Sequence, residues 1–425
     1  MQYKKLSLWI AILININIVI GGGFFLGIPR VLHTSGLLAP FAWALVGILI
    51  LPLTLIIARF STIFPDAGGI FVYSDKVLGS FLGFLCGWGY FIGTAAGNAA
   101  ILDAFGKQIQ LFGFEIPWIT PFALNISLIL FFTIINLKNI KFLERFQVGV
   151  TILKTIPLLL VIGAAFILFS ATNVSSAPIH LSGLAGSVPP ALFAYIGIEA
   201  CSSITHHIKD GHKNAARAML ISLGVIIFIY AVIQFLILGI HGTQSINPFT
   251  DILPKLTSNL FVISWGTKLI NFAILSSYLG GFYGMFYANN WILYAIAKGN
   301  RILGAKALTK LNKHHAPWVS VLAQCALLIT FFCITLNINH LILMSDFGVA
   351  LAYALTTLAF IIIAKKRGYS YKIGILGLLG CGLLSGAFLE DLVDIGMRYL
   401  LPFLVLLLMG IFLYLIHERK QLLKA

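Results

Sequence analysis

The chain has 425 residues, enough for two or three soluble domains, yet 60% are hydrophobic, 10% are charged and the mean hydropathy is +1.00, which excludes an ordinary soluble protein. Its formal charge of +15 sits in short clusters between apolar stretches rather than along one face, which excludes a nucleic-acid surface. Five cysteines (Cys86, Cys201, Cys325, Cys333, Cys381) lie in apolar stretches without paired spacing, so neither a disulfide framework nor a zinc site is expected, and they read as small core residues.

A bilayer core about 30 Å thick takes about 20 apolar residues per helix. Apolar stretches between polar breaks predict spans near 7–32, 36–64, 78–110, 118–136, 146–169, 186–206, 216–241, 259–297, 317–336, 340–364, 373–390 and 396–416, about twelve in all. Lys4 and Lys5 precede the first without a small-residue cleavage site, so that span is expected to stay as a helix. If the N-terminus is cytoplasmic, 22 of the 28 basic residues fall on that side. Arg30, Lys107, Lys255, Lys268 and Arg398 fall on the other, and Lys154 falls inside a span. The positive-inside rule then places both termini in the cytoplasm. No linker or low-complexity stretch divides the chain, so one membrane domain is expected over 1–425.

The first span contains Ile20-Gly21-Gly22-Gly23-Phe24. Three glycines lower helix propensity by about 1 kcal/mol each relative to alanine, and the backbone groups they expose must find protein, water or ligand in a membrane. A half-helix starting at Gly23 would offer free N–H donors to a carboxylate; a packing notch is the plainer reading. Asn15, Asn17 and Pro29 also mark this span as irregular. In the third span Gly79, Gly83, Gly87 and then Gly89, Gly93, Gly97 recur at four-residue spacing, which reads as close helix packing. Asn98 follows, as an interhelical hydrogen bond or a ligand contact.

Lys154 interrupts the fifth span. It either snorkels to the interface or is a buried amine that titrates or occupies a cation site. The sixth span carries Pro189, Pro190 and Phe193-Ala194-Tyr195-Ile196-Gly197-Ile198-Glu199. A carboxylate at that depth costs about 2.5–3.5 kcal/mol on insertion scales, so Glu199 binds a proton, pairs with a base, lines a wet cavity or is satisfied structurally. Phe282 follows Gly280-Gly281 in the eighth span, where core packing is the plain reading. His206, His207, His212, His314 and His315 are irregularly spaced and read as solvated loop rather than metal ligands. No phosphate loop or nucleophile elbow occurs, so no ATP-driven pump, enzyme, cofactor or metal is expected.

Three motifs in order resemble the amino acid-polyamine-organocation permeases over nearly the whole chain, nearest the bacterial basic amino acid/polyamine antiporter group. Gly21 to Pro29 is similar to that family's first-helix Gly-Ser-Gly-Ile-Phe segment, with Gly22 in place of the serine. Pro65-Asp66-Ala67-Gly68-Gly69-Ile70-Phe71-Val72-Tyr73 is similar to its loop after the second helix, and Phe193 to Ser203 to its sixth-helix Phe-Ala-Phe-x-Gly-x-Glu motif. The resemblance implies an all-α integral membrane fold of the LeuT type: inverted five-helix repeats near 7–169 and 186–364, two further helices near 373–416, and helices 1 and 6 broken.

It also implies a substrate site at Val19, Gly21, Gly22, Gly23, Asn98, Phe193, Ala194, Ile196 and Phe282. The amides of Gly22 and Gly23 would take a carboxylate, and the carbonyls of Val19, Phe193 and Ile196 an ammonium. Phe193 and Phe282 stand where arginine/agmatine antiporters have tryptophan, so arginine is not the expected substrate. By the same resemblance Lys154 takes the place of a sodium ion, and Glu199 serves gating or proton coupling. The expected function is secondary, sodium-independent amino-acid transport by alternating access across the cell membrane, as an exchanger or coupled to protons. A polyamine carrier, which would not use the glycine amides, a non-transporting amino-acid sensor and a channel are the alternatives.

Overall fold

The computed structural model describes residues 5–111, 120–138, 140–243, 247–334 and 337–423, and among them it is helical without strands. In chain order the helices are α1 (Leu8–Val19), α2 (Gly22–Ser35), α3 (Ala39–Ile63), α4 (Gly69–Leu78), α5 (Ser80–Leu111), α6 (Pro121–Asn136), α7 (Ile140–Leu168), α8 (Ala171–Ser175) and α9 (Leu181–Tyr195). They continue with α10 (Ala200–Ser203), α11 (Gly211–His241), α12 (Leu253–Leu256), α13 (Leu260–Lys298), α14 (Ala305–Leu308), α15 (Trp318–Cys333), α16 (Ile338–Lys366), α17 (Lys372–Ile395) and α18 (Leu401–Leu422).

Among the described residues seven helical segments are long and apolar enough to cross a membrane, and the α1–α2 pair, bent by 48°, makes an eighth. α6, α15 and the first part of α17 are shorter apolar helices. Large apolar side chains face outward, with Phe166 89% and Leu260 80% exposed, as expected where lipid replaces water.

Several helices outrun their apolar stretches. α7 begins at Ile140, six residues before its predicted span, and α11 at Gly211, five before, because charged turns continue a helix past the hydrocarbon without breaking its hydrogen bonding. The predicted loop Pro65–Tyr73 is corrected in its second half. α4 starts at Gly69, where Gly68 and Gly69 have φ of +102° and +40°, a conformation other residues reach only with strain. Cys333 is exposed and not a core residue. Residues 118, 119, 335 and 336 of the fourth and ninth predicted spans lie outside the described residues.

The closest packing joins α5 to α16, α3 to α11, α2 to α9, and α13 to both α5 and α7. Glycines set the first of these. A Cβ on Gly93 would stand 2.9 Å from the Gly348 Cα, and one on Gly348 would stand 2.6 Å from the Gly89 carbonyl oxygen, the small-residue contact expected of the glycine spacing. The first and last described segments lie on one face. Leu6 exchanges backbone hydrogen bonds with His207 and Lys209, His207 meets the Tyr287 hydroxyl at 3.3 Å, and His417 reaches Asn300 at 3.1 Å.

Candidate functional site

α1 stops at Val19 because Gly21 leaves helical geometry, with φ −115° and ψ −152°. α2 restarts at Gly22, and among the described residues nothing accepts the amide hydrogens of Gly22 or Gly23. The packing reading of this break is seen in what surrounds the glycines. A Cβ at Gly22 would lie 2.9 Å from the Tyr278 ring, one at Gly23 2.9 Å from the Ala194 Cα, and one at Gly21 3.3 Å from the Gly281 Cα. The glycines thus admit α9 and α13 and leave two donors at the positive end of a half-helix.

The sixth span breaks opposite. α9 ends at Tyr195, Gly197 turns with φ +103°, and α10 resumes at Ala200. The Ile18 and Ile196 carbonyls take no hydrogen bond among the described residues. Glu199, buried, is satisfied structurally: Tyr90 donates to it at 2.5 Å, Tyr353 at 2.8 Å and the Gly197 amide at 3.2 Å. It therefore ties the break to α5 and α16. From the first break Asn15 donates to the Ile198 carbonyl at 2.9 Å.

Lys154 does not snorkel. It is 2% exposed, donates to the Asn17 carbonyl at 2.9 Å and also to the Ile20 carbonyl. Ser277 of α13 donates to that same Ile20 oxygen at 2.9 Å. Gln147, two turns earlier on the same face of α7, accepts from Asn17 and donates to the Gly280 carbonyl at 3.0 Å. No carboxylate among the described residues lies within 4 Å of the Lys154 amine. Its amine is held by the carbonyls that end α1, so α7 through Lys154 and α13 through the Ser277 hydroxyl clamp the break.

Between the breaks lies a narrow cavity of about 30 Å³. Val19, Gly21, Gly22, Gly23, Asn98, Phe193 and Ile196 of the expected site line it. Ala194 does not: its Cα packs on Gly23 and its carbonyl accepts from Tyr230 at 3.0 Å. Phe282 is corrected as well. Gly281 faces the cavity, and the helical step of about 100° per residue turns Phe282 away to Phe132 and Phe286, with ring centroids 5.3 and 5.5 Å apart. Val19 is on the wall, but its carbonyl already accepts from Tyr230 at 2.9 Å and from the Gly21 amide at 2.7 Å. Ile18 is the better placed acceptor on that side.

Sequence reasoning missed Ile18, Thr94, Ile101, Met285 and Ser345 on the wall. Met285 was recoverable as the residue one turn after Gly281. Both polar atoms of the Asn98 amide and the Ser345 hydroxyl are buried there without a partner, a cost of about 1–3 kcal/mol per group that a ligand would remove. Two of the loop histidines are not solvated: His206 and His207 stack edge-on against Trp291 at 4.3 and 5.0 Å. Among the described residues no group of His, Cys, Asp and Glu could hold a metal ion.

The family model described as amino acid permease matches residues 6–416. The chain is 30% identical to the serine/threonine exchanger SteT of Bacillus subtilis, over 86% of each protein. It is 24% identical to the gamma-aminobutyric acid permease of the same organism, over 73% of this chain and 68% of that one. To the aromatic amino acid transport protein AroP of Escherichia coli K12 it is 26% identical, over 81% and 76%.

Proposed function

We propose, for a chain that belongs to the amino acid permease family and transports amino acids, that transport is secondary, sodium-independent and runs by alternating access, with the substrate backbone held between the two helix breaks. One observation carries this reading. The unpartnered amides of Gly22 and Gly23 and the open carbonyls of Ile18 and Ile196 border one cavity. A zwitterion matches that pattern, its carboxylate on the α2 amides and its ammonium on the carbonyls. A polyamine would leave the amides bare.

Asn98 and Ser345 supply a donor and acceptors to the side chain, which favours small polar amino acids, and the resemblance to a serine/threonine exchanger supports the same choice. Lys154 fills the cation position that would otherwise call for sodium, while Glu199 keeps the sixth-span break in register during the cycle. Exchange and proton coupling are both compatible with this site.

The twelve-span count and the inverted repeat belong to the same proposal. Exchanging the first five spans for the next five maps α5 against α16 onto α13 against α7, and α5 against α6 onto α13 against α15, while α3–α11 and α2–α9 map onto themselves; all of these pairs are in contact. With both described chain ends on one face, the charge bias supports a cytoplasmic position for that face in a cell membrane. Purified protein in liposomes, offered a panel of labelled amino acids with and without internal counter-substrate and a pH gradient, tests the reading. Uptake of a small polar amino acid is expected, and uptake of none under any condition refutes it.

A further inference from the structure

On the face that carries both described chain ends a second cavity of about 330 Å³ opens between the α3–α4 loop, the turn after α10, the end of α13 and the segment before α15. It is separate from the transport site and shares no wall residue with it. Four imidazoles border it, His206, His207, His314 and His315, together with Lys298.

His206 borders the cavity, and both of its ring nitrogens are shielded from solvent without a hydrogen-bond partner, which leaves a buried donor unmet. Lys298 is exposed and has no carboxylate within 4 Å among the described residues. Among the described residues the cavity's one acidic wall residue, Asp66, is bound to Lys76 at 2.7 Å. The local field is therefore positive. Burial and then Lys5 hold His207 down to about 4, and burial, His207, Lys298 and Lys5 hold His206 below the usual imidazole range. Burial is the larger cause, and the smaller contribution from Lys298 and Lys5 is the one that favours an anion beside these rings.

We propose that this cavity is a phosphate-binding site. Donors reach it from three separate segments, as a tetrahedral, doubly charged oxyanion requires and a planar carboxylate does not. Phosphate would bridge Lys298 of α13 to the turn at His206 and His207, whose backbone also pairs with Leu6. That would fasten the N-terminal segment, the turn after α10 and α13 together. The phosphate could be free or a phospholipid headgroup.

The test uses the purified full-length protein. One arm measures equilibrium dialysis of labelled inorganic phosphate, and a second measures co-purification of phosphatidylglycerol over phosphatidylcholine from mixed vesicles. Each is run on the wild type, on Lys298→Gln and on His206→Phe. Saturable phosphate binding weakened about tenfold or more by each variant assigns a free phosphate. Headgroup enrichment lost in the variants, without dialysis binding, assigns the lipid and equally supports the site. Because Lys298 is exposed, its variant is expected to fold, and a thermal unfolding curve checks this. Binding in neither arm, or binding that Lys298→Gln leaves unchanged, overturns the proposal. Neither arm reads transport, so the result is independent of the transport mechanism.

Discussion

Gly23 packs directly on the backbone of α9 in the transport site, and replacing it with alanine separates backbone recognition from general packing. The added methyl would stand 2.9 Å from the Ala194 Cα, 3.3 Å from the Ala194 nitrogen and 3.2 Å from the Phe193 ring. Two of these atoms are backbone, so α2 and α9 must part by several tenths of an ångström, and overpacking of this kind costs about 1–3 kcal/mol. The displacement falls on the amide that would hold the carboxylate. At about 1.4 kcal/mol per factor of ten, substrate affinity should fall about tenfold to hundredfold. Gly163→Ala is the control, because that glycine is exposed on α7 and a Cβ there meets nothing within 4 Å. Substrate-dependent thermal shift of the purified variants gives affinity, and counterflow in liposomes gives rate. A Gly23→Ala protein with the affinity and counterflow of Gly163→Ala would refute the reasoning.

Lys154→Ala removes the cation and leaves the Asn17 and Ile20 carbonyls short of a donor, so counterflow should drop at least about tenfold; a rate equal to wild type would make the clamp dispensable. Tyr353→Phe takes one of three donors from Glu199 and should lower stability by about 1–3 kcal/mol, read as an earlier thermal unfolding transition, with an unshifted transition counting against the structural role. Asn98→Ala should leave recognition of the amino-acid backbone in place while flattening preference among side chains, measured by competition across the panel; an unaltered order of competitors would remove Asn98 from selectivity.

The parts of this fold visible in sequence were those that violate a local expectation. Three glycines in an apolar helix and a lone lysine in another are anomalies in one dimension, so the first break and the importance of Lys154 could be read directly. Which carbonyls hold the lysine could not, because Asn17 and Ile20 are joined to it only when α1 lies against α7. Ser345 was invisible as one small hydroxyl in a 29-residue helix, where serine usually bonds its own backbone. Phe282 was misplaced because proximity to a glycine motif along the chain says nothing about which side of the helix it faces. The Pro65–Tyr73 motif read as loop through its glycines, although their positive φ angles serve to start α4. His206 and His207 looked solvated because Trp291, which covers them, lies more than eighty residues away.

The central claim is that the amides at the start of α2 bind a carboxylate. Its most direct measurement is competition, on the purified wild-type protein, between the best labelled amino acid and three unlabelled compounds: the same amino acid, its methyl ester and the amine left by decarboxylation. The account predicts that the free amino acid displaces the label and that the ester and amine are weaker by about tenfold to hundredfold, the value of losing a charge-assisted hydrogen bond. An amine that competes as well as the intact amino acid would contradict it.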